Sequence, residues 1–453
     1  MSRMLLNKLF IVPVFFCVLS LLSVDVHAVP SYARQVGMSC DKCHTVFPEL
    51  TPFGRSFKLG GYTMSKSDKP YEFPPPLSAQ AQFSYTNTGK SQSPDSVERN
   101  WATKKFSSDN NFLNVPQNLS LFYGGKIYSG IGAFIQGTYD GVDNRTALDT
   151  MDIRFAQSVD SGERNLTYGI TINNNPTAQD VWNSTPAFGY PYSGSSVAPT
   201  PTAATVIDGG LGQQVSGIGT YIFWDNMIYG EVSVYHTNEN GLGQIFKGNN
   251  RIDTVLDGFA PYWRIAFEHQ WDKHCASVGT YGLVSKIFPG GVDSGPSDSF
   301  RDLALDAQYQ YISGEHIFSA QTSWIHEYQD WNASFDQGGT ANQTDNLNTY
   351  KLNLNYYHRG SMGDIGGTLA YFSTCGDKDT VLYAPSDTSG SKNGKPDSNG
   401  FIYELDYVPW KWSKITLQYI SYMNFNGAHS NYDGSGRDAS DNNTFYVLLW
   451  LII

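Results

Sequence analysis

Most of the chain alternates apolar and polar residues with a period of two. From residue 77 onward such stretches run for roughly ten residues and are separated by segments rich in Gly, Asn, Asp and Ser. Successive side chains of a β-strand point to opposite faces, so this period predicts strands with one apolar face and one polar face. In the first stretch Ala79, Ala81 and Phe83 share one face, and Gln80 and Gln82 share the other.

Strands of this length suit a transmembrane antiparallel β-barrel, with apolar faces on lipid and polar faces on a wet lumen. The charged residues Lys351, Glu404 and Asp306 take the polar phase of their strands. Residues 444–453 form an apolar, aromatic strand that resembles the terminal strand by which outer-membrane barrels are recognised for assembly. The pattern therefore predicts an all-β membrane protein of about 16 strands. A soluble β-sandwich or propeller is the alternative, because its strands also alternate.

Composition agrees with a barrel in a membrane. Only 16% of the 453 residues are charged, and the chain has 29 Tyr, 26 Phe and 10 Trp. Membrane barrels use such aromatic residues at both bilayer interfaces. The formal net charge of −12 comes without basic clusters, which argues against a nucleic-acid partner.

The first 28 residues have the pattern of an export signal. Arg3 and Lys8 give a positive start, residues 10–22 an apolar run, and residues 26–28 a small-residue cleavage site. The mature chain should begin near Val29. Export together with a barrel predicts the outer membrane of a Gram-negative bacterium as the location, with its lipid as a partner.

Residues 30–61, within an N-terminal segment at 29–68, are the only part of the chain with predicted helical character. Thr51 followed by Pro52 predicts a helix start, and Gly60-Gly61 predicts its end. A segment this short hardly forms a core by itself, so it needs a second surface, and we expect it to plug the barrel. A proline-rich linker at residues 69–77 then leads into the barrel at 78–453.

This segment contains a C-x-x-C-H motif, made by Cys40, Cys43 and His44. Two thiols at this spacing can each add to a haem vinyl group, and the histidine can bind the iron from below. The motif predicts one covalent haem c, with His44 as the proximal ligand. A zinc pair or a thioredoxin-like redox pair would need a second ligand pair or a βαβ context, and the sequence has neither.

Other polar residues in the chain leave more than one interpretation open. Arg55 and Lys58 could pair with haem propionates or be solvated charges. Cys275 and Cys375 could form a disulfide or remain buried free thiols. No catalytic constellation is apparent.

The sixth iron ligand is predicted by strand phase and spacing. Five histidines share a phase with apolar residues and should point away from the lumen, namely His236, His269, His316, His326 and His358. Met38 lies close to Cys40, whereas Met64 lies 20 residues beyond His44. We expect Met64 to be the distal ligand of the iron. His429, His274 or water are the alternatives. If Met64 has no role at the haem, it simply fills a gap in the packing.

Three blocks of sequence carry a resemblance to a known family. The first runs from Tyr32 to His44 and continues through Phe47-Pro48, Leu50, Phe53-Gly54-Arg55, Phe57-Lys58 and Gly61-Tyr62-Thr63. The second comprises residues 174–177, Asp180, residues 182–187 and residues 189–191, and the third is residues 260–264. Together they resemble the fused monohaem cytochrome and porin family of iron-oxidising bacteria.

The resemblance implies an outer-membrane electron conduit. In this family Cys40 and Cys43 would carry the thioether bonds and His44 would bind the iron. Electrons would pass from an extracellular donor to a periplasmic cytochrome or other carrier. If the donor is Fe(II), the protein would act in Fe(II) oxidation. Two alternatives stay open, namely a diffusion porin with a structural or sensory haem, and a haem enzyme with an open sixth coordination position.

Overall fold

The structure is a computed structural model of the full chain. It describes residues 30–45, 48–66, 69, 75–91, 110–160, 162, 164–176, 180–185, 194–237 and 254–453. The predicted export signal, residues 1–28, and most of the predicted linker lie outside these residues.

Alternating residues from position 77 onward form strands, as the sequence predicts. The first nine are β1 (Leu77–Thr88), β2 (Asn111–Tyr128), β3 (Ile131–Asp140), β4 (Arg145–Asp160), β5 (Asn165–Asn173), β6 (Ser216–Trp224), β7 (Ile228–His236), β8 (Val255–Leu256) and β9 (Ala260–Trp271). The remaining eight are β10 (His274–Phe288), β11 (Asp298–Ile312), β12 (His316–Asp330), β13 (Thr344–Gly360), β14 (Gly363–Gly376), β15 (Ser398–Trp410), β16 (Ser413–Asn424) and β17 (Thr444–Ile452).

Apart from the two-residue β8, each strand pairs antiparallel with the strands before and after it, and the sheet closes on itself. The closing pair joins β1 to β17, with Gln80 opposite Ile452 and Thr88 opposite Thr444. The two-residue β8 and the longer β9 pair with the same side of β10, so they share one position. The described strands thus form a closed barrel of 16 positions, which confirms the predicted fold class. The soluble sandwich is excluded because no sheet edge is left open.

The two faces of the barrel wall differ in polarity. Outward positions carry exposed apolar side chains such as Leu121, Ile265 and Leu405. Inward positions of β1 carry the buried polar residues Gln82 and Ser84. An apolar outer band around a polar interior is the arrangement of outer-membrane barrels, so the chain is a porin-type barrel of the outer membrane.

The two mouths of the barrel differ in the length of their connections. At one mouth, which we call the short-turn mouth, seven turns of two to four residues join the strands. At the opposite, long-loop mouth the connections are mostly long, including residues 377–397 and 425–443. The start of β1 and the end of β17 lie at the short-turn mouth.

Helices are few and short. The N-terminal segment, residues 30–66, contains α1 (Pro30–Val36), a 3₁₀ turn (Cys40–Lys42) and α2 (Pro52–Leu59). A third helix, α3 (Asn332–Asp336), and two 3₁₀ turns (Pro289–Gly291 and Ala439–Asn442) lie in long loops. Within the described ranges, no helix is both long and apolar enough to cross a bilayer.

The described parts of the connection between β5 and β6, residues 174–176, 180–185 and 194–215, fold into the barrel, and we call them the lumen loop. It includes a π-helical turn (Val206–Gly210) whose Ile207 packs with Leu211 and Val215 against inward side chains of the wall. Val181 and Trp182 of the same loop pack with Leu59 of α2 and with Tyr221 and Phe223 of β6. The N-terminal segment and the lumen loop therefore share one core inside the barrel.

Candidate functional site

Cys40, Cys43 and His44 are held together by one tight turn. The backbone N–H groups of Cys43 and His44 both donate to the carbonyl of Cys40, at 3.0 and 2.9 Å. His44 then forms a single β-bridge with Leu50. The two thiol side chains and the imidazole are thereby fixed on one short piece of backbone.

Helix α2 packs directly on this turn. Thr51 caps the helix, since its hydroxyl accepts from Gly54 N, and its own N–H donates to the carbonyl of Cys43 at 2.9 Å. A Cβ atom at Gly54 would lie 2.2 Å from the Cys43 carbonyl oxygen. Only glycine allows so close an approach. The predicted cap and end of this helix are both present, with Gly61 at a φ of +69°.

His44 is oriented through its Nδ1 atom. Nδ1 lies 3.2 Å from the carbonyl oxygen of Glu49, which is an acceptor, so Nδ1 carries the proton and Nε2 is the nitrogen suited to bind iron. Burial lowers the pKa of His44 to about 4, although its hydrogen bonds to the backbone of Glu49 and Pro48 oppose the shift. The ring is therefore neutral at pH 7, which is the form that binds a metal.

The two thiols are unlike those of a redox-active pair. Burial, followed by the neighbouring Cys40 thiol and Asp41, raises the pKa of Cys43 to about 11. Burial and Asp41 also raise the pKa of Cys40. Catalytic C-x-x-C pairs have lowered thiol pKa values, so these side chains do not fit the thioredoxin-like interpretation.

A cavity of about 380 Å³ opens beside the three motif residues, near the short-turn mouth. That volume falls within the usual range for cofactor and ligand pockets. Much of the lumen wall is polar, but this cavity is lined by many apolar side chains. They include Val36, Met38, Leu50, Phe57, Phe122, Phe134, Ile317 and Trp412. An apolar cavity against a C-x-x-C-H turn fits a large, flat, apolar group such as haem.

Cations also line this cavity. Lys58, Arg359, Lys411 and Lys414 contribute to its wall. Arg359 pairs with Asp41 of the motif at 3.3 Å, and Lys411 pairs with Asp364 at 3.1 Å. Burial lowers the pKa of Lys58 to about 8, although Asp152 opposes the shift. Of the two predicted propionate partners, Lys58 is thus at the cavity.

Arg55 occupies a different position, and the solvated-charge interpretation of this residue is wrong. Its side chain is 1% exposed, and its Nε lies 2.7 Å from Oε2 of Glu268 on β9. The same carboxylate oxygen accepts from the indole N–H of Trp182 at 3.0 Å. Glu268 therefore joins the N-terminal segment to the lumen loop. Sequence reasoning missed this residue because its partners are far away along the chain.

Further hydrogen bonds fasten the N-terminal segment to the wall on several sides. The hydroxyl of Tyr62 donates to Asp152 on β4 at 2.6 Å, and that of Tyr221 donates to the carbonyl of Leu59 at 2.6 Å. On the opposite wall, the amide of Asn355 donates to Glu49 at 3.0 Å. The segment thus sits inside the barrel as a plug.

Met64 is not brought to the cavity. Its side chain is 46% exposed, and it is not among the residues that line the cavity beside His44. Met38, which sequence spacing disfavoured, does line that cavity. The pairing of His44 and Met64 as iron ligands stays a prediction.

The strand histidines face outward, as their phase predicts. His236, His269, His316, His326 and His358 all alternate with buried inward residues. Neither His274 nor His429 lines the cavity. His274 instead stacks against Trp271 on the outer surface, and the Nδ1 of His429 lies 2.8 Å from the carbonyl of Met423.

The two barrel cysteines are not paired with each other. Cys275 on β10 is buried and free, and Cys375 on β14 is free and partly exposed. The sulfur of Cys275 accepts from Arg55 at 3.1 Å. Across the parts of the chain that are described, no three His, Cys, Asp or Glu side chains group as a metal site.

The second and third resembling blocks meet inside the barrel. Asp180 of the lumen loop lies 3.5 Å from Arg264 on β9, and the Arg264 guanidinium lies 4.9 Å from the ring centre of Trp182. Their separation in sequence concealed this contact, although an unusual Trp in a loop and an Arg in a strand could have suggested it.

No protein-family model and no curated protein matches the sequence. Among solved structures, OmpF of Salmonella typhi shares 11% identity at a TM-score of 0.43, covering 83% of this chain and 97% of that one. An anion-selective porin from Comamonas acidovorans shares 12% identity at a TM-score of 0.42, covering 83% and 98%. OmpT of Vibrio cholerae shares 7% identity at a TM-score of 0.41, covering 83% and 97%.

Proposed function

We propose that this barrel is an outer-membrane electron conduit. It would accept electrons from an extracellular donor, for which Fe(II) is our candidate, and deliver them to a periplasmic carrier through one covalent haem. The observation that carries the proposal is the apolar cavity enclosed against Cys40, Cys43 and His44. The chemistry that the group supplies when bound is one-electron exchange between Fe(III) and Fe(II).

The chain's own residues prepare that cavity for haem. Cys40 and Cys43 supply the two thiols, and the carbonyl of Glu49 turns the His44 ring so that Nε2 can bind the iron. Four cations line the cavity, and each already pairs with a carboxylate of the protein, so two propionates would share or replace those partners. The cations are Lys58, Arg359, Lys411 and Lys414. Phe57, Phe122 and Phe134 exclude water from one side of the cavity.

The position of the cavity suits delivery to the periplasm. Outer-membrane barrels keep short turns on the periplasmic side and long loops outside. By that rule Cys40 and His44 lie toward the periplasm. Exposed Arg34, Lys42 and Lys66 surround this end of the plug and would favour an acidic carrier.

The test uses whole cells that carry c-type maturation machinery and produce this protein. We expect the α-band of reduced haem to appear when Fe(II) is added to intact cells, and a Cys40→Ser, Cys43→Ser variant to show no such band. Haem reduction only after lysis, or only by permeant reductants, would contradict the proposal. Rapid binding of CO to the reduced protein would favour the haem enzyme instead, since it reveals an open coordination position.

A further inference from the structure

A second site lies on the far side of the lumen loop from the haem cavity. Asp302 on β11 and Glu327 on β12 are directly opposite each other in the register. Both side chains point inward and are nearly or fully buried, with 6% and 0% of their surface exposed. Asp302 follows the first residue of β11 by four positions, so the pair lies about 13 Å along the strand from the long-loop mouth.

Asp302 is a buried acid with no cationic partner among the described residues. Its neighbours are the carboxyls of Glu327 and Asp208 and the backbone N–H of Ile207. Among the described residues, only the Glu327 carboxyl and the Ile207 N–H lie close enough to supply a hydrogen bond to Asp302, and neither does so with standard geometry. Removing a carboxylate from water without a partner is unfavourable, so both oxygens are suited to an occupant.

Glu327 is held in place beside it. Oε2 accepts from the backbone N–H of Val206 at 2.5 Å, and Oε1 accepts from the amide of Gln329 at 2.7 Å. A carboxylate offers about four lone-pair positions, so each oxygen keeps capacity for another contact. The lumen loop and β12 thus fix the orientation of Glu327 toward Asp302.

The other charges in this part of the lumen are already paired. Lys351 binds Asp208 at 2.5 Å, and Arg264 binds Asp306 at 2.9 Å. No described Lys or Arg forms an ion pair with Asp302 or Glu327. Two adjacent buried carboxylates cannot both be ionised without a compensating positive charge.

We propose that Asp302 and Glu327 bind a divalent cation, and that the donor Fe(II) is held there before its electron leaves. Two carboxylates and several retained waters are a common way to hold a hydrated divalent ion. The assignment of Fe(II) as occupant rests on the proposed function, whereas the cation site itself does not. Each Fe(II) bound there would pass one electron to the ferric haem of the proposed conduit, which would become ferrous, and the donor would depart as Fe(III).

The binding test uses Mn²⁺, which is redox-inert here, followed by electron paramagnetic resonance. The protein is the full chain with Cys40→Ser and Cys43→Ser, so that haem plays no part. We expect one bound Mn²⁺ per barrel and at least tenfold weaker binding in both Asp302→Asn and Glu327→Gln. Asp293→Asn is the control, because it removes an exposed carboxylate in the loop between β10 and β11 at the same mouth. Absence of Mn²⁺ binding by the parent, or binding by the two site variants as tight as by the parent, would overturn the site and favour a shared proton.

A second measurement identifies the occupant. In haem-loaded cells, Asp302→Asn should raise the Fe(II) concentration needed for half-maximal haem reduction about tenfold while leaving the maximal rate unchanged. An unchanged concentration would overturn Fe(II) as the occupant while leaving the electron-conduit function standing. If Fe(II) reduces no haem in any variant but Mn²⁺ still needs Asp302, the proposed function fails and the cation site remains.

Discussion

At the scale of single residues, Glu268 joins three parts of the interior. Arg55 of the plug and Trp182 of the lumen loop share its Oε2, and the amide of Gln270 donates to its Oε1 at 2.8 Å. The buried carboxylate of Glu268 and the buried guanidinium of Arg55 each need the other, because an unpaired charge inside the protein is strongly unfavourable. The plug and the lumen loop should therefore lose order together when Glu268 changes.

Replacing Glu268 with Gln should destabilise the folded barrel by about 3–5 kcal/mol, because the Arg55 charge is left buried without a counterion. The measurement is the urea midpoint of the barrel in lipid vesicles. Lys90→Gln is the control, since the exposed Lys90 and Asp441 pair, at 3.2 Å, should contribute less than about 1 kcal/mol. Equal midpoints for the two variants would show that the buried pair does not stabilise the interior.

Residue-scale predictions from sequence succeeded where they depended on local pattern. Phase alone gave the outward orientation of His236 and His358, because a strand fixes the face of each side chain. Phase does not tell which residues meet across a lumen. The contact between Arg55 and Glu268 joins positions more than two hundred residues apart, so local pattern had no means of indicating it.

At the scale of elements, α2 is built to lie on the motif turn. Its cap residue Thr51 and its first-turn residue Gly54 both contact the backbone of residues 42–43. The sequence predicted the start and end of this helix, since capping depends on adjacent residues. It did not predict that the lumen loop would fold inward, because that loop has ordinary loop composition and its partners are strand side chains.

Gly54→Ala should weaken haem attachment, because the new Cβ would meet the Cys43 carbonyl and push α2 away from the turn. Overpacking of this kind typically costs about 1–3 kcal/mol. We expect a severalfold lower ratio of haem absorbance to folded barrel, and normal heat-modifiable migration of the barrel itself. Ser56→Ala, in the same helix, is the matched control. A ratio unchanged from the parent protein would argue against the close packing of helix and turn.

At the scale of the whole molecule, the barrel is wide but filled. Barrels of about 16 strands normally leave an aqueous channel. Here the plug and the lumen loop pack together through Leu59, Val181 and Trp182, against both the wall and each other. The fold class, the strand number and the plug followed from the sequence, but the inward fold of the lumen loop did not, since it depends on contacts among three distant segments.

A purified barrel in a planar bilayer should conduct far less than an open porin of similar size. A variant lacking residues 30–66 should conduct severalfold more, because the lumen then keeps only its loop. The Cys40→Ser, Cys43→Ser form keeps the plug without haem and should remain closed. High conductance of the unaltered protein would support the diffusion porin in place of the conduit.

The shared core of plug and lumen loop also has a meaning for the cell that carries it. An open pore admits nutrients together with antibiotics, detergents and other harmful solutes. A bacterium must therefore limit the number of open pores in its outer membrane. A barrel whose lumen is filled does not admit such solutes, so this limit does not apply to it. Under the proposed electron-conduit function, the surface could be crowded with copies, each adding to the current drawn from outside, while the envelope stays as tight as before.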